Sequence, residues 1–398
     1  MSAAPATQER SIPFIFGIRG VSAGYVAIFH LNNMVIQVPG IVMPIRYQQL
    51  TNWLRYGDFR VAAFFVISGF LLTIPVTRSK DWRLTAGVRG FMFRRAERLL
   101  VPYYAALALS LVLFLLWAKV VGAVIHPQAL GLGILAHVLL IHNLDARTMV
   151  YISDPLWNVA LEFQCYLFFA LLLLPAMRRF GVWRPFAIVT LLALVPHFLF
   201  HGWLDYVRPW FVILYALGVA TSALANPFYP SLQRQESRVP WGLLWIVTAL
   251  ATPVAVWASG LDAPYGAGWL QNLLLGLSVS SFFLYVRHGT PGIFAAPARF
   301  FVHALQFRPL QKLGTFSYSI YLVHFPILRL LVGVTSRYTL NGPRIAALAF
   351  FVYLPLTIGI AYLFHVNVER PFMEKRAAKT KAPAEQLAEQ PHGAPVAR

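Results

Sequence analysis

Ten stretches of 17 to 24 residues, each dominated by Leu, Val, Ile, Ala and Phe, recur along this 398-residue chain: 13–36, 59–77, 100–123, 157–177, 185–201, 209–225, 241–259, 270–287, 313–334 and 345–366. A hydrocarbon layer about 30 Å thick is crossed by about 20 residues of α-helix, whereas a barrel strand crosses it in about 10. Inside lipid a helix satisfies every backbone donor and acceptor within its own segment. The pattern therefore predicts an all-α polytopic membrane protein, a bundle of about ten transmembrane helices. A further apolar piece at 129–142 contains His137 and His142 and is too short to span, so it is expected to be re-entrant or interfacial. Composition agrees: 58% of residues are apolar and only 12% are charged, where soluble domains carry about 25% charged residues.

The formal net charge of +19 would suggest nucleic acid in a soluble chain. Here the basic residues lie between the apolar stretches, so the expected partner is the membrane and no nucleic acid is expected. With the N-terminus in the cytoplasm, ten spans place 23 of the 33 Lys and Arg on the cytoplasmic side and seven on the other. An eleventh span would move every later loop across and spoil that bias. Both termini are thus expected in the cytoplasm. The first residues lack a secretory-signal pattern, so the first stretch is expected to stay as a helix. Cys165, within an apolar run, reads as a packing residue. Residues 374–398 are polar and rich in Ala and Pro, the composition of a disordered cytoplasmic tail, which leaves 1–373 as one membrane domain. No stretch could form a soluble catalytic domain, so any chemistry belongs to the helical bundle. The absence of an internal repeat argues against a transporter built from inverted halves.

Ionisable side chains inside lipid are costly and need a wet or ligand-filled cavity. Arg19 and His30 sit eleven residues apart in the first stretch, which on a helix returns to within about 20° of the same face about 16 Å further along. A guanidinium suits phosphate or carboxylate, and a neutral imidazole can accept a proton. Snorkelling to the headgroups is the plainer reading of Arg19, and a hydrogen-bonded core residue that of His30. Glu162 lies about two turns into the stretch after Asp154-Pro155, with Trp157, Gln164 and Tyr166 nearby; its count from the membrane edge makes it the expected orienting partner of His30. Ser68-Gly69 marks a close approach between helices. Arg94, Arg95 and Arg98 form a dense basic cluster that either anchors the topology or attracts an anionic substrate. Ser317, Tyr318, Tyr321 and His324 bring hydroxyls and an imidazole into one helix, with His324 expected to satisfy carbonyls freed by Pro326.

In order along the chain, Arg19 with His30, FFVISGFLLT (64–73), RRAERLLVPYY (94–104), PLWNVALEFQCYL (155–167), LGTFSYSIYLVHFP (313–326) and VERP (368–371) together resemble the acyltransferase type 3 family. The resemblance runs from about residue 12 to 373. The family's acidic residues before the arginine and before the paired phenylalanines are replaced by Phe16 and Ala62, and only the first of its two glutamates is kept, as Glu162. The resemblance implies an integral membrane enzyme, in the bacterial inner membrane, that moves acetyl or another short acyl group from acyl-CoA to a hydroxyl. His30 and Glu162 would be catalytic, and Arg19, Arg94, Arg95 and Arg98 would bind the acyl-CoA. Ser68, Trp157, Tyr166, Ser317, Tyr318 and His324 would support them. Acyl-CoA would be a co-substrate; no bound cofactor and no metal are expected. The acceptor would be a carbohydrate of a cell-surface or exported glycan, lipid-linked glycans included. A small molecule such as a macrolide is the alternative acceptor, and a proton-coupled transporter the alternative class. No esterase-like domain follows in the sequence, so a partner enzyme would be a separate chain.

Overall fold

A computed structural model of the chain describes residues 13–56, 59–77, 79, 81–225, 232, 234, 238–258, 268–338 and 341–372. The expected tail at 374–398 lies outside them. Every regular element among the described residues is helical, and the ten apolar stretches all fall on helices. They are α1 (Pro13–Ile36), α2 (Phe59–Thr77), α3 (Gly87–Val121), α4 (Trp157–Phe168), α5 (Trp183–Leu199), α6 (Trp210–Leu224), α7 (Trp241–Ala258), α8 (Trp269–Arg287), α9 (Ser317–Thr335) and α10 (Leu354–Phe364). Among the described residues, eight helical runs are long and apolar enough to cross a membrane unaided, including Asp154–Phe180 around α4 and Gly342–Phe372 around α10. The apolar helices Val61–Thr77 and Trp183–Leu199 are shorter, at the lower limit of about 17 residues for a span.

Three boundaries differ from those read in the sequence. α3 begins at Gly87 and runs for 35 residues, about 52 Å, so Arg94, Arg95 and Arg98 ride on a helix that enters the membrane and are not in a loop. It stops at Gly122, whose φ of 73° turns the chain left-handed while its N–H bonds the Ala118 carbonyl. The piece expected at 129–142 is a helix over Pro127–Val138 followed by a 3-10 turn at His142–Leu144. Its two histidines are buried and stacked, ring centroids 3.9 Å apart. The stretch 313–334 is broken at Phe316, between a short helix, Arg308–Thr315, and α9.

Lipid supplies no hydrophobic drive between helices, so backbone proximity has to hold the bundle. α2 and α6 pack reciprocally: a Cβ on Gly69 would lie 2.2 Å from the Tyr215 carbonyl oxygen, and one on Gly218 would lie 2.1 Å from that of Val66. α1 meets Arg308–Thr315 the same way, with a Gly314 Cβ falling 1.9 Å from the Phe16 oxygen. Phe65, Tyr103, Phe211 and Tyr215 fill the core between α2, α3, α4 and α6. Apolar residues cover the outside as well as filling the core, and some polar ones are buried. Ile188, Leu191, Leu192, Leu250 and Val254 are exposed, while His30, Glu162, His324 and Glu369 are buried. The apolar groups face lipid, and the polar ones line an interior seam between α1, α2, α3, α4 and α9.

Candidate active site

One end of the seam is built around Glu162. Its Oε1 accepts hydrogen bonds from Ser68 Oγ (2.8 Å) and Tyr166 Oη (2.5 Å). Ser68 reaches it because Gly69 draws α2 against α6 and leaves the preceding residue pointing across to α4. With Arg19, Arg95, Arg98, Tyr318 and Glu369, these groups line a cavity of about 90 Å³. Glu369 accepts from Ser319 Oγ at 2.6 Å and from His365 Nδ1 at 2.8 Å. It sits in a π-helical turn, His365–Glu369, a local widening frequent at functional sites. Tyr318 donates to the Leu99 carbonyl at 2.8 Å. Arg19 lines this cavity with its Nε buried and without a hydrogen-bond partner among the described residues. Arg94 is not part of this wall.

The other end is a chamber of about 750 Å³. Its wall includes His30, Asp154, Trp157, Tyr321, Arg208 and Arg329. His30 Nδ1 stands 3.8 Å from Asp154 Oδ2, within ion-pair range and too far for a direct hydrogen bond. The His324 ring lies beside it, centroid to centroid 5.2 Å. His324 Nδ1 donates to the carbonyls of Ile320 (2.8 Å) and Tyr321 (3.0 Å), which leaves Nε2 as the lone-pair nitrogen, buried and with no hydrogen-bond partner among the described residues. The carbonyl deprived by Pro326 is that of Leu322, four residues back, so His324 does not perform the repair expected of it. Tyr321 donates to the Pro155 carbonyl at 2.7 Å and fixes the turn that presents Asp154. The Arg208 guanidinium lies 4.1 Å from the Trp157 ring centroid.

A neck of about 30 Å³ lies between them, walled by Val26, Val61, Asn158, Ser317 and Tyr318 among others. It shares Val26, Val61 and Tyr321 with the chamber, and Arg19, Glu162 and Tyr318 with the smaller cavity. That volume holds a water or two. Arg19 and His30 therefore do share a face of α1, one at each end of a three-part path.

The structure thus separates two residues that the sequence reading joined. Glu162 lies with Arg19 and Arg98, and Asp154 is the carboxylate near His30. The reason is helical rise: Asp154 is level with His30, and eight further residues carry Glu162 about 12 Å along α4, close to the depth of Arg19. Asp154 and Glu369 stood in the sequence only beside or within the matching motifs, with nothing to mark them as carboxylates of the seam. Arg329 had a visible signal, an arginine well inside an apolar stretch.

A family model described as an acyltransferase domain, that of the acyltransferase type 3 family, matches residues 12–366. Among similar proteins are one from Staphylococcus aureus (strain COL) named "Putative O-acetyltransferase SACOL0978", 24% identical over 391 residues, and the O-acetyltransferase OatA of Staphylococcus aureus (strain NCTC 8325 / PS 47), 24% identical over 385 residues. Each alignment takes in 92% of this chain and 58% of the relative, so the chain spans somewhat over half the length of the curated relatives it matches. No solved structure matches it. Apolar helices around a buried polar seam, matched by that model over nearly all the described residues, make this chain an integral membrane member of the acyltransferase type 3 family.

Proposed function

We propose that this chain is an O-acetyltransferase, moving an acetyl or other short acyl group from acyl-CoA to a hydroxyl of a surface or exported glycan. One observation carries the reading: a cationic pocket and a sugar-sized chamber meet at a neck with His30 beyond it. The smaller cavity faces the cytoplasm, as do both termini, in a bacterial inner membrane. Arg95 and Arg98 attract the donor's phosphates, and Arg19 holds the end that enters the seam. The chamber opens on the opposite side and falls in the range of about 300–1,000 Å³ usual for ligand sites.

In the transfer the acceptor oxygen attacks the thioester carbonyl, forming an oxygen–carbon bond and breaking the carbon–sulfur bond. The hydroxyl proton passes to His30 Nε2, and the departing thiolate is protonated in turn. Asp154, 3.8 Å from Nδ1, favours the imidazolium that forms. If His30 instead carries the acyl group, the same nitrogen is the nucleophile. The neck, too narrow for a sugar, keeps the acceptor on the His30 side.

The test supplies radiolabelled acetyl-CoA to membranes holding the wild type or His30→Ala and follows label into glycan and lipid fractions. Label in a glycan fraction with the wild type and none with His30→Ala is expected. Equal labelling by the two would remove His30 from the chemistry, and no labelled acceptor with the wild type would remove the acyltransferase reading. Arg19→Lys, which keeps the charge and loses the planar fork, should weaken apparent donor affinity without changing membrane insertion.

A further inference from the structure

The chamber carries positive charge that its own carboxylate does not match. Arg329 projects from the apolar helix α9 with its guanidinium 3.6 Å from the Trp117 ring centroid and 5.2 Å from that of Phe114. Among the described residues it has no carboxylate within 4 Å; Asp154 acts on it from further off and stands nearer His30. Two turns on, Arg337 donates Nε to the Val120 carbonyl at 2.5 Å and lines the same chamber, again with no carboxylate in range. A guanidinium has five donors in a planar fork, matched to carboxylate and phosphate. The ring faces against Arg329 take none of those N–H groups, and Arg337 uses one. Arg329, inside an apolar helix, holds its charge where that is expensive without a partner, Arg337 stands exposed at the chamber's rim just past the end of α9, and a bound oxyanion is what would answer both.

We propose that the acceptor is an anionic glycan whose carboxylate or phosphate is held by Arg329 and Arg337 on the chamber wall. This rests on the acyltransferase reading above. Arg329 lies five residues beyond His324, about 8 Å along α9, and the His324 ring lies 5.2 Å from that of His30, centroid to centroid. The oxyanion then belongs to the sugar bearing the reacting hydroxyl or to its neighbour. A neutral acceptor would leave the Arg329 guanidinium unanswered, so Arg329, with Arg337 at the rim, selects for charge.

The experiment places the protein in phosphatidylcholine nanodiscs and follows tryptophan fluorescence, Trp117 lying against Arg329, while glucose, glucuronate or glucose 1-phosphate is added. At least one charged sugar should bind about tenfold or more tightly than glucose, a difference of about one charge-assisted contact; the tighter of the two identifies the oxyanion. Arg329→Gln should abolish the preference, Arg337→Gln should reduce it, and Arg329→Lys should keep part of it, so that misfolding of the first variant is told from loss of charge. Arg147→Gln, at an exposed arginine paired with Asp145, should leave it unchanged. Glucose binding as tightly as both charged sugars, or a preference that survives Arg329→Gln, would overturn the proposal. So would a preference abolished by adding phosphatidylglycerol, which would make the occupant a lipid headgroup. Acetyl transfer measured in parallel separates the two claims. Transfer to neutral and uronate oligosaccharides at equal rates would sink the charge selection and spare the acyltransferase. Binding of charged sugars with no transfer to any acceptor would overturn the acyltransferase and the acceptor assignment with it.

Discussion

The two ends of the seam solve the same problem, charge inside a membrane protein, in opposite ways. Around Glu162 the cations Arg19, Arg95 and Arg98 share a small cavity with two carboxylates, each holding hydrogen bonds from side-chain donors. Around His30 the space is several times larger, and Arg329 and Arg337 have no carboxylate in range among the described residues. The first comes within one charge of balance, and the donor's phosphates would take up the remainder. The second sets one carboxylate, Asp154, against Arg208, Arg329 and Arg337, and that larger excess describes what should enter. Buried polar groups thus divide into those that organise the protein and those that await a ligand, and local charge balance tells them apart.

His30→Ala should break the comparison most visibly. Transfer should fall by about 10²–10⁴-fold, the usual worth of a positioned base, while the unfolding midpoint in detergent stays near that of wild type. Glu162→Ala should do the reverse in kind: it strands Arg19 against Arg98, and removal of one partner from a buried charge cluster costs about 3–5 kcal/mol. Thermal unfolding in detergent measures this, with Glu162→Gln milder because it keeps the shape and the contacts to Ser68 and Tyr166. Arg329→Gln should cost less than about 1 kcal/mol of stability, having no carboxylate to strand; a loss as large as that of Glu162→Ala would erase the distinction between the two ends. Asp145→Asn should be smallest. Asp145 caps the short helix Ala146–Met149 through the Arg147 N–H at 2.8 Å and pairs with the Arg147 guanidinium. Those hydrogen bonds pull its pKa down to about 2. A depressed carboxylate pKa stabilises the fold above the ordinary carboxylate range and loses that effect as pH falls toward about 2. The variant should therefore remove a small acid-sensitive contribution, at most about 1 kcal/mol for the cap, read as a flatter dependence of the unfolding midpoint on pH between 4 and 2.

Much of the fold was legible because lipid imposes a length rule on every segment. All ten apolar stretches lie on helices, and Arg19 and His30 share a face as their spacing requires. What escaped was lateral. The pairing of His30 with Glu162 came from counting depth along two helices separately, and the turn at Asp154–Leu156 sets where the second count begins. The start of α3 was hidden because arginines at an interface read equally as loop or as helix. Glu369 owes its place in the cavity to a π-helical turn, and periodicity at 3.6 residues cannot foresee an inserted residue. The aromatic seats of Arg208 and Arg329 join residues dozens to hundreds apart in sequence, and nothing local announces them.

The neck between the two ends has a consequence for the membrane rather than for the reaction. A protein with wet space reaching inward from both faces is, but for one constriction, a pore. Here the insulation comes down to a space of about 30 Å³ lined in part by Val26, Val61, Phe64 and Tyr321. On the proposed reading those side chains would have to admit something as slight as an acyl group and still keep the bilayer electrically tight. Seal and passage would then be the same few residues, and any gain in throughput at this point would come with leakage of protons and ions.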